Sequence, residues 1–219
     1  MSKIKTPAGV SIYPNLLEPT NFKGEGPLNY DCKLKFNLKD EGVSELISTL
    51  EEAHAKGKEG INERRAKFGE KPLSPGQLKK DAPTPWTMEE DDEGEPTGYV
   101  VVKAKLKAER MIKGSPVKQR PAVFDDKGKA WDMDTAIWGG SIIRMSVEPQ
   151  PWYMAPIGGY GMTLQLRAAQ VVSLVNHENE AGDAASFGFE VDDSEEVAPQ
   201  VVAQKESAFD DEAFDAQDL

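Results

Sequence analysis

Cysteine, histidine and long apolar runs are what this 219-residue chain has least of. Cys32 is its only cysteine, so no disulfide can form within the chain and a thiolate zinc site would lack ligands. The two histidines, His54 and His177, do not stand at metal-ligand spacing. Phosphate loops, nucleophile elbows and dinucleotide fingerprints are missing as well, so the expectation is a protein that is not an enzyme and takes no cofactor or metal. No run approaches the ~18 apolar residues of a membrane span, and the start, MSKIKTPAGVSIYP, has basic residues but no apolar signal core. A soluble intracellular protein is expected.

Positive charge is scarce in one place above all. From Glu178 to Leu219 fourteen carboxylates stand with a single cation, Lys205. The formal charge of −12 is almost entirely theirs, because Met1 to His177 holds 25 basic and 24 acidic side chains. A segment of acids, Ala, Ser and Gln cannot bury enough surface to order itself, so residues 178–219 are expected to be a disordered tail and 1–177 one domain. Phe209 and Phe214 interrupt the acids Asp210, Asp211, Glu212 and Asp215. Spaced rings among acids anchor in basic, apolar-lined pockets, and the same anions compete with nucleic acid for a protein's own groove. A tail that only confers solubility is the plainer reading of the same residues.

Within the body, Leu28, Tyr30, Cys32, Leu34, Phe36 and Leu38 alternate with Asn29, Asp31, Lys33, Lys35 and Asn37, which is the period of a half-buried strand. The period then becomes helical, with Val43, Leu46, Ile47, Leu50 and Ala53 behind a cap at Asp40 or Ser44, and a helical insertion is expected over about 40–68. Gly57 and Gly60 leave open whether it is one interrupted helix or two. A Pro-rich, acidic loop follows over about 69–96, pinned by Trp86. Gly98 to Ala108 alternates again, with Val100, Val102, Ala104 and Leu106 opposite Tyr99, Val101, Lys103, Lys105 and Lys107. Asp126, Lys127 and Gly128 mark a hairpin turn, and Gly139 and Gly140 open the strand SIIRMSV. A Pro-rich corner, EPQPWYMAPIGGYG, leads into a last long strand, MTLQLRAAQVVSLV. The order of elements predicts a small antiparallel barrel with an inserted helix, or else a β-sandwich.

The polar strand faces carry the chemistry. Lys33, Lys35, Lys103, Lys105 and Lys107 form rows of ammonium groups, with Arg110, Lys113, Lys118 and Arg120 following. Solvated, edge-protecting lysines would look the same. Aromatic residues in the least regular segments, Trp131, Trp138, Trp152, Tyr153 and Tyr160, shift the reading towards a groove that follows phosphates and stacks on bases. Trp138, beside two glycines, reads as core, and Trp152 as the best stacking ring. The expected contacts are Lys33, Lys35, Lys103, Lys105, Lys107, Arg120 and Arg144 to phosphates, with Tyr99, Trp152 and Tyr153 on bases.

Four stretches of the chain resemble the single-stranded DNA-binding proteins of T7-like phages: SIYPNLLEP, KPLSP, DDKGKAWDMDTAIWGGSIIRMSVEPQPWYM and GYGMTLQLRAAQVVSLV. The resemblance implies an OB-fold, a five-stranded antiparallel Greek-key barrel, acting in phage replication, recombination and strand annealing in the cytoplasm of a bacterial host. It also implies a tail that contacts the replicative DNA polymerase and helicase-primase, occupies the DNA groove and is associated with a homodimer. The tail departs from the T7 type in ending on Leu219, with its last ring at Phe214. The competing reading is a replisome or recombination adaptor whose tail binds proteins while the barrel only scaffolds. A hydrolase is the third.

Overall fold

The computed structural model describes residues 3–22, 24–112, 114–154 and 159–175. The alternation at 28–38 forms one wall of a closed barrel. In β3 (Glu25–Asn37), Tyr30, Cys32, Leu34 and Phe36 are buried, whereas Leu28 and Leu38 at the two ends are exposed. Beside it runs β6 (Pro96–Lys107), in register from Asn29 opposite Lys107 to Asn37 opposite Tyr99, with Val100, Val102, Ala104 and Leu106 turned inward.

Five long strands close the ring. They are β2 (Gly9–Phe22), β3, β6, β11 (Gly159–Ser173) and β10 (Ile142–Met154), with β10 returning to β2 through Ile142 and Ile143 opposite Val10 and Gly9. This is the expected barrel rather than the sandwich. An odd number of strands cannot alternate direction all the way round a ring, so one seam must be parallel. That seam is β11 against β6, at Leu164 opposite Ala104 and Gln165 opposite Lys105. Shorter strands attach to the ring: β1 (Ile4–Lys5) to β10, β4 (Lys80–Asp81) and β9 (Ala122–Phe124) to β11, and β5 (Trp86–Glu90) to β6. A separate hairpin joins β7 (Glu109–Ile112) to β8 (Ser115–Lys118).

The insertion is two helices, α1 (Val43–Glu59) and α2 (Ile61–Lys67), divided at Gly60. Val43, Leu46, Ile47 and Leu50 bury the apolar face of α1 in the barrel core. Neither Asp40 nor Ser44 caps it through a side chain; the N-cap is Gly42, at φ 79°, where only a residue without Cβ is unstrained. From α1, His54 meets the rings of Trp86 and Tyr160 edge-on, at 6.1 and 4.8 Å. Burial lowers the His54 pKa, and pushes the Tyr160 phenol and the Cys32 thiol each up to about 12.

Three expectations from the sequence need correction. No strand was expected before residue 28, yet β2 is fourteen residues long. Pro14, Pro19 and Tyr13 at φ 46° break its alternation, and its register with β3 slips three times. Residues 148–154 of the Pro-rich corner are the second half of β10, which stays paired with β11 through Pro149 and Pro151 to Met154. Proline lacks an N–H to give a second neighbour, and β1 covers β10 only at Ser146 and Val147, so these positions lie where an edge tolerates it. The loop at 69–96 contains β4 and β5 and is tied down: Asn62 exchanges two hydrogen bonds with the backbone of Leu73, at 2.7 and 3.0 Å.

At the β2–β10 closure, a Cβ added to Gly9 would lie 2.5 Å from the buried Phe36 ring. Gly9→Ala is expected to destabilise the barrel by about 1–3 kcal/mol through overpacking. Urea unfolding should show this as a lower midpoint at an unchanged slope.

Candidate nucleic-acid interface

Closure of the ring sends alternate side chains of each strand outward, and register decides which of them meet. Lys33 of β3 lies directly opposite Lys103 of β6, and Asp31 opposite Lys105. The parallel seam sets Gln165 of β11 against Lys105. On the far side of β11, Trp152 of β10 pairs with Gly161 and Gln150 with Thr163. A transverse row therefore crosses four strands from Lys33 through Lys103 and Thr163 to the region of Trp152. Pro83 and Pro85 wall this place, and Lys103, Lys105, Trp152 and Thr163 line a cleft of about 180 Å³ with them.

Trp152 is held as a fixed platform. Its Nε1 donates to Thr163 Oγ1 at 2.9 Å, and the ring lies so close over Gly161 that a Cβ there would be 2.3 Å from it. Only glycine lets the indole lie flat on the sheet at this point. Lys103 is anchored through its backbone, whose N–H donates to Pro85 O at 2.7 Å. Among the described residues, the ion pairs involve none of Lys33, Lys103, Lys105 and Lys107. Like charges directly opposite one another on a sheet are destabilising, so the Lys33–Lys103 pair favours a bound anion.

Other expected contacts stand elsewhere. The Lys35 ammonium is 2.7 Å from Glu89 of β5 and 4.4 Å from the centroid of the Tyr99 ring, so this pair is already engaged within the protein. Lys35 and the Thr97 hydroxyl hold the half-buried Glu89 carboxyl below its ordinary pKa. Tyr153 points away from Trp152, as neighbours on a strand must, and packs against Ile61, Leu73 and Tyr160, with Arg65 5.8 Å from its ring centroid. Arg144 shares the outer face of β10 with Trp152, but eight residues along it, roughly 26 Å at ~3.3 Å per residue. Arg120 is exposed in the coil after β8.

Of the remaining aromatic residues, Tyr160 is fully buried, and Trp131 packs against the core with its Nε1 donating to Thr135 O. Trp138 is not core, because the residue is 52% exposed. Gly139 and Gly140 serve a turn laced to Ser11, rather than a close approach to the indole. Phe209, Asp210, Asp211, Glu212, Phe214 and Asp215 lie outside the described residues. Gly161, Thr163, Pro83 and Pro85 were not expected in the site. The spacing Gly159–Tyr160–Gly161 is the one signal in the sequence that marks a strand face left bare for a ring.

Gly161→Ala is expected to lift the Trp152 indole off the sheet and break its bond to Thr163 while leaving the barrel closed. Near-ultraviolet circular dichroism should change in the tryptophan region, with far-ultraviolet spectra retained.

No family model matches the chain, and no curated protein sequence does. Solved structures do. One is gp2.5, a single-stranded DNA-binding protein encoded by bacteriophage T7, with a TM-score of 0.63 at 20% identity over 84% of this chain and 98% of that one. Another is the single-stranded DNA-binding protein from bacteriophage Enc34 in complex with ssDNA, at a TM-score of 0.49 and 16% identity over 80% and 88% of the two chains. The five-strand ring, its parallel seam and the helices inserted after its second strand thus form a barrel of the same fold as T7 gp2.5.

Proposed function

We propose that this chain is a sequence-independent single-stranded DNA-binding protein of phage replication, recombination and strand annealing, regulated by its acidic tail. The observation that carries this reading is the row of Lys33, Lys103 and Lys105 ending at the seated Trp152 ring. Its barrel has the fold of a protein that binds single-stranded DNA, which supports the same reading. Phosphates replace counterions along the lysines, including Lys107, and a base stacks on Trp152. Stacking contributes about 1–3 kcal/mol per base whatever its identity, which suits a protein that does not read sequence. Lys35 and Tyr99 join only if Glu89 is displaced, while Arg120 and Arg144 lie at the margins of the path.

The tail's fourteen carboxylates complement this row and compete with DNA for it. In this reading the tail also recruits the replicative DNA polymerase and helicase-primase and supports a homodimer, and the protein acts in the host cytoplasm. The adaptor reading shares the tail and differs only in giving the barrel no DNA to hold.

A salt-dependent titration with oligothymidylate tests the proposal. Lys103→Ala with Lys105→Ala should flatten the slope of log K against log salt by about 1.4, at ~0.7 per phosphate contact on a single strand. Trp152→Ala should weaken binding with the slope retained. Absence of binding by the intact chain at low salt would sink the reading in favour of the adaptor.

Deleting residues 178–219 should tighten binding, and most at low salt, where the competing anions are least screened. Unchanged affinity in the same titration would remove the competitor role while leaving the barrel's own function in place.

A further inference from the structure

The row that begins at Trp152 does not end at Lys33. One strand further round the ring, Ile12 of β2 stands opposite Lys33, and the next residue is Tyr13. In a regular strand Tyr13 would follow the outward Ile12 by pointing into the barrel. Instead its backbone turns to φ 46°, the only described non-glycine residue at positive φ, and the residue is 83% exposed. An aromatic side chain is thus turned out of the core by a backbone conformation that disfavours every residue except glycine. Strain of that kind persists where the surrounding structure enforces it, and here it places a ring in water.

Beside it lies an exposed indole, that of Trp138. The turn at Trp138, Gly139 and Gly140 is bound to the strand at Ser11: Gly140 N–H donates to Ser11 O at 2.8 Å, and Ser11 Oγ donates to Trp138 O at 3.3 Å. Gly139 packs on the backbone nitrogen of Tyr13, where an added Cβ would be 3.5 Å away. Trp138 and the exposed Met133 line a groove of about 470 Å³ with Pro14, Asn15 and Leu17.

We infer that Tyr13 and Trp138 form a second base-stacking platform, at the opposite end of the lysine row from Trp152, for the same single strand of nucleic acid. This inference rests on the function proposed above. Register sets the direction, since Ile12, Lys33 and Lys103 are successive partners across three strands. From β10 through β11, β6 and β3 to β2 is four strand steps, roughly 19 Å at ~4.8 Å each. A strand running across the sheet meets a ring, then phosphate-binding lysines, then two more rings. Charge complementarity selects its occupant: rings flanking ammonium groups that make no ion pair among the described residues suit a polyanion that carries π-faces.

The test uses the full chain with oligothymidylates of about five and about twenty nucleotides, bracketing the ~4–16 that one such barrel covers. Tyr13→Gly removes the ring and the strained backbone together. It should raise the melting temperature, weaken binding of the long oligonucleotide about tenfold, and leave the short one and the salt slope unchanged. Trp138→Leu should give the same length-dependent loss, and Tyr13→Phe should bind as the parent chain does. Parental affinity of both Tyr13→Gly and Trp138→Leu for the long oligonucleotide overturns the inference and leaves the rings to a protein partner. So does equal loss of both lengths with a lower melting temperature, which makes Tyr13 structural. If the parent chain binds neither oligonucleotide, the proposed function fails and this inference fails with it.

Discussion

The arrangement of the candidate site on this protein follows from closing five strands into a ring around an apolar core. Closure obliges Cys32, Leu34, Val102, Ala104, Leu164 and Leu166 to face inward, and therefore obliges Lys33, Lys103, Lys105 and Thr163 to face out. The odd strand number adds the parallel seam between β6 and β11. That seam is only two residue pairs long, yet it brings β10 and β11, with Trp152 on Gly161, alongside the lysines.

Electrostatics then separates residues that look equivalent along the chain. Lys33 and Lys35 are two apart on one strand, yet Lys35 is neutralised by Glu89 whereas Lys33 faces another ammonium. Opposed like charges on a sheet surface cost about 0.2–1 kcal/mol, and burying one large apolar side chain contributes about 1.5–3 kcal/mol. The barrel core can therefore carry a small unbalanced row. A polyanion bound there would remove the repulsion, so binding at this row and stability would reinforce one another.

Aromatic residues show where reading from sequence succeeded and where it stopped. Trp152 was legible as a surface ring, although for the wrong reason: the prolines around it suggested a broken corner, and it stands instead on an intact strand over a glycine. Tyr153 was legible only as its neighbour, and strand alternation sends it to the opposite face, against Ile61 and Leu73. Trp138 gave the reverse error. Its glycines suggested close packing of the indole, but they form a turn fastened to β2, a strand that irregular spacing and two prolines had hidden.

The sequence by itself determined the alternation of β3 and β6, the apolar face of α1 and the segregation of acid into the last forty-two residues. Each of these depends on neighbours a few residues apart, where period and composition act directly. Tertiary structure decided which outward side chains share a row, which lysine meets a carboxylate, and that Tyr13 leaves the core. These outcomes depend on register between strands more than a hundred residues apart, as where Ile142 meets Val10, and on space around a closed ring, and spacing along the chain encodes neither.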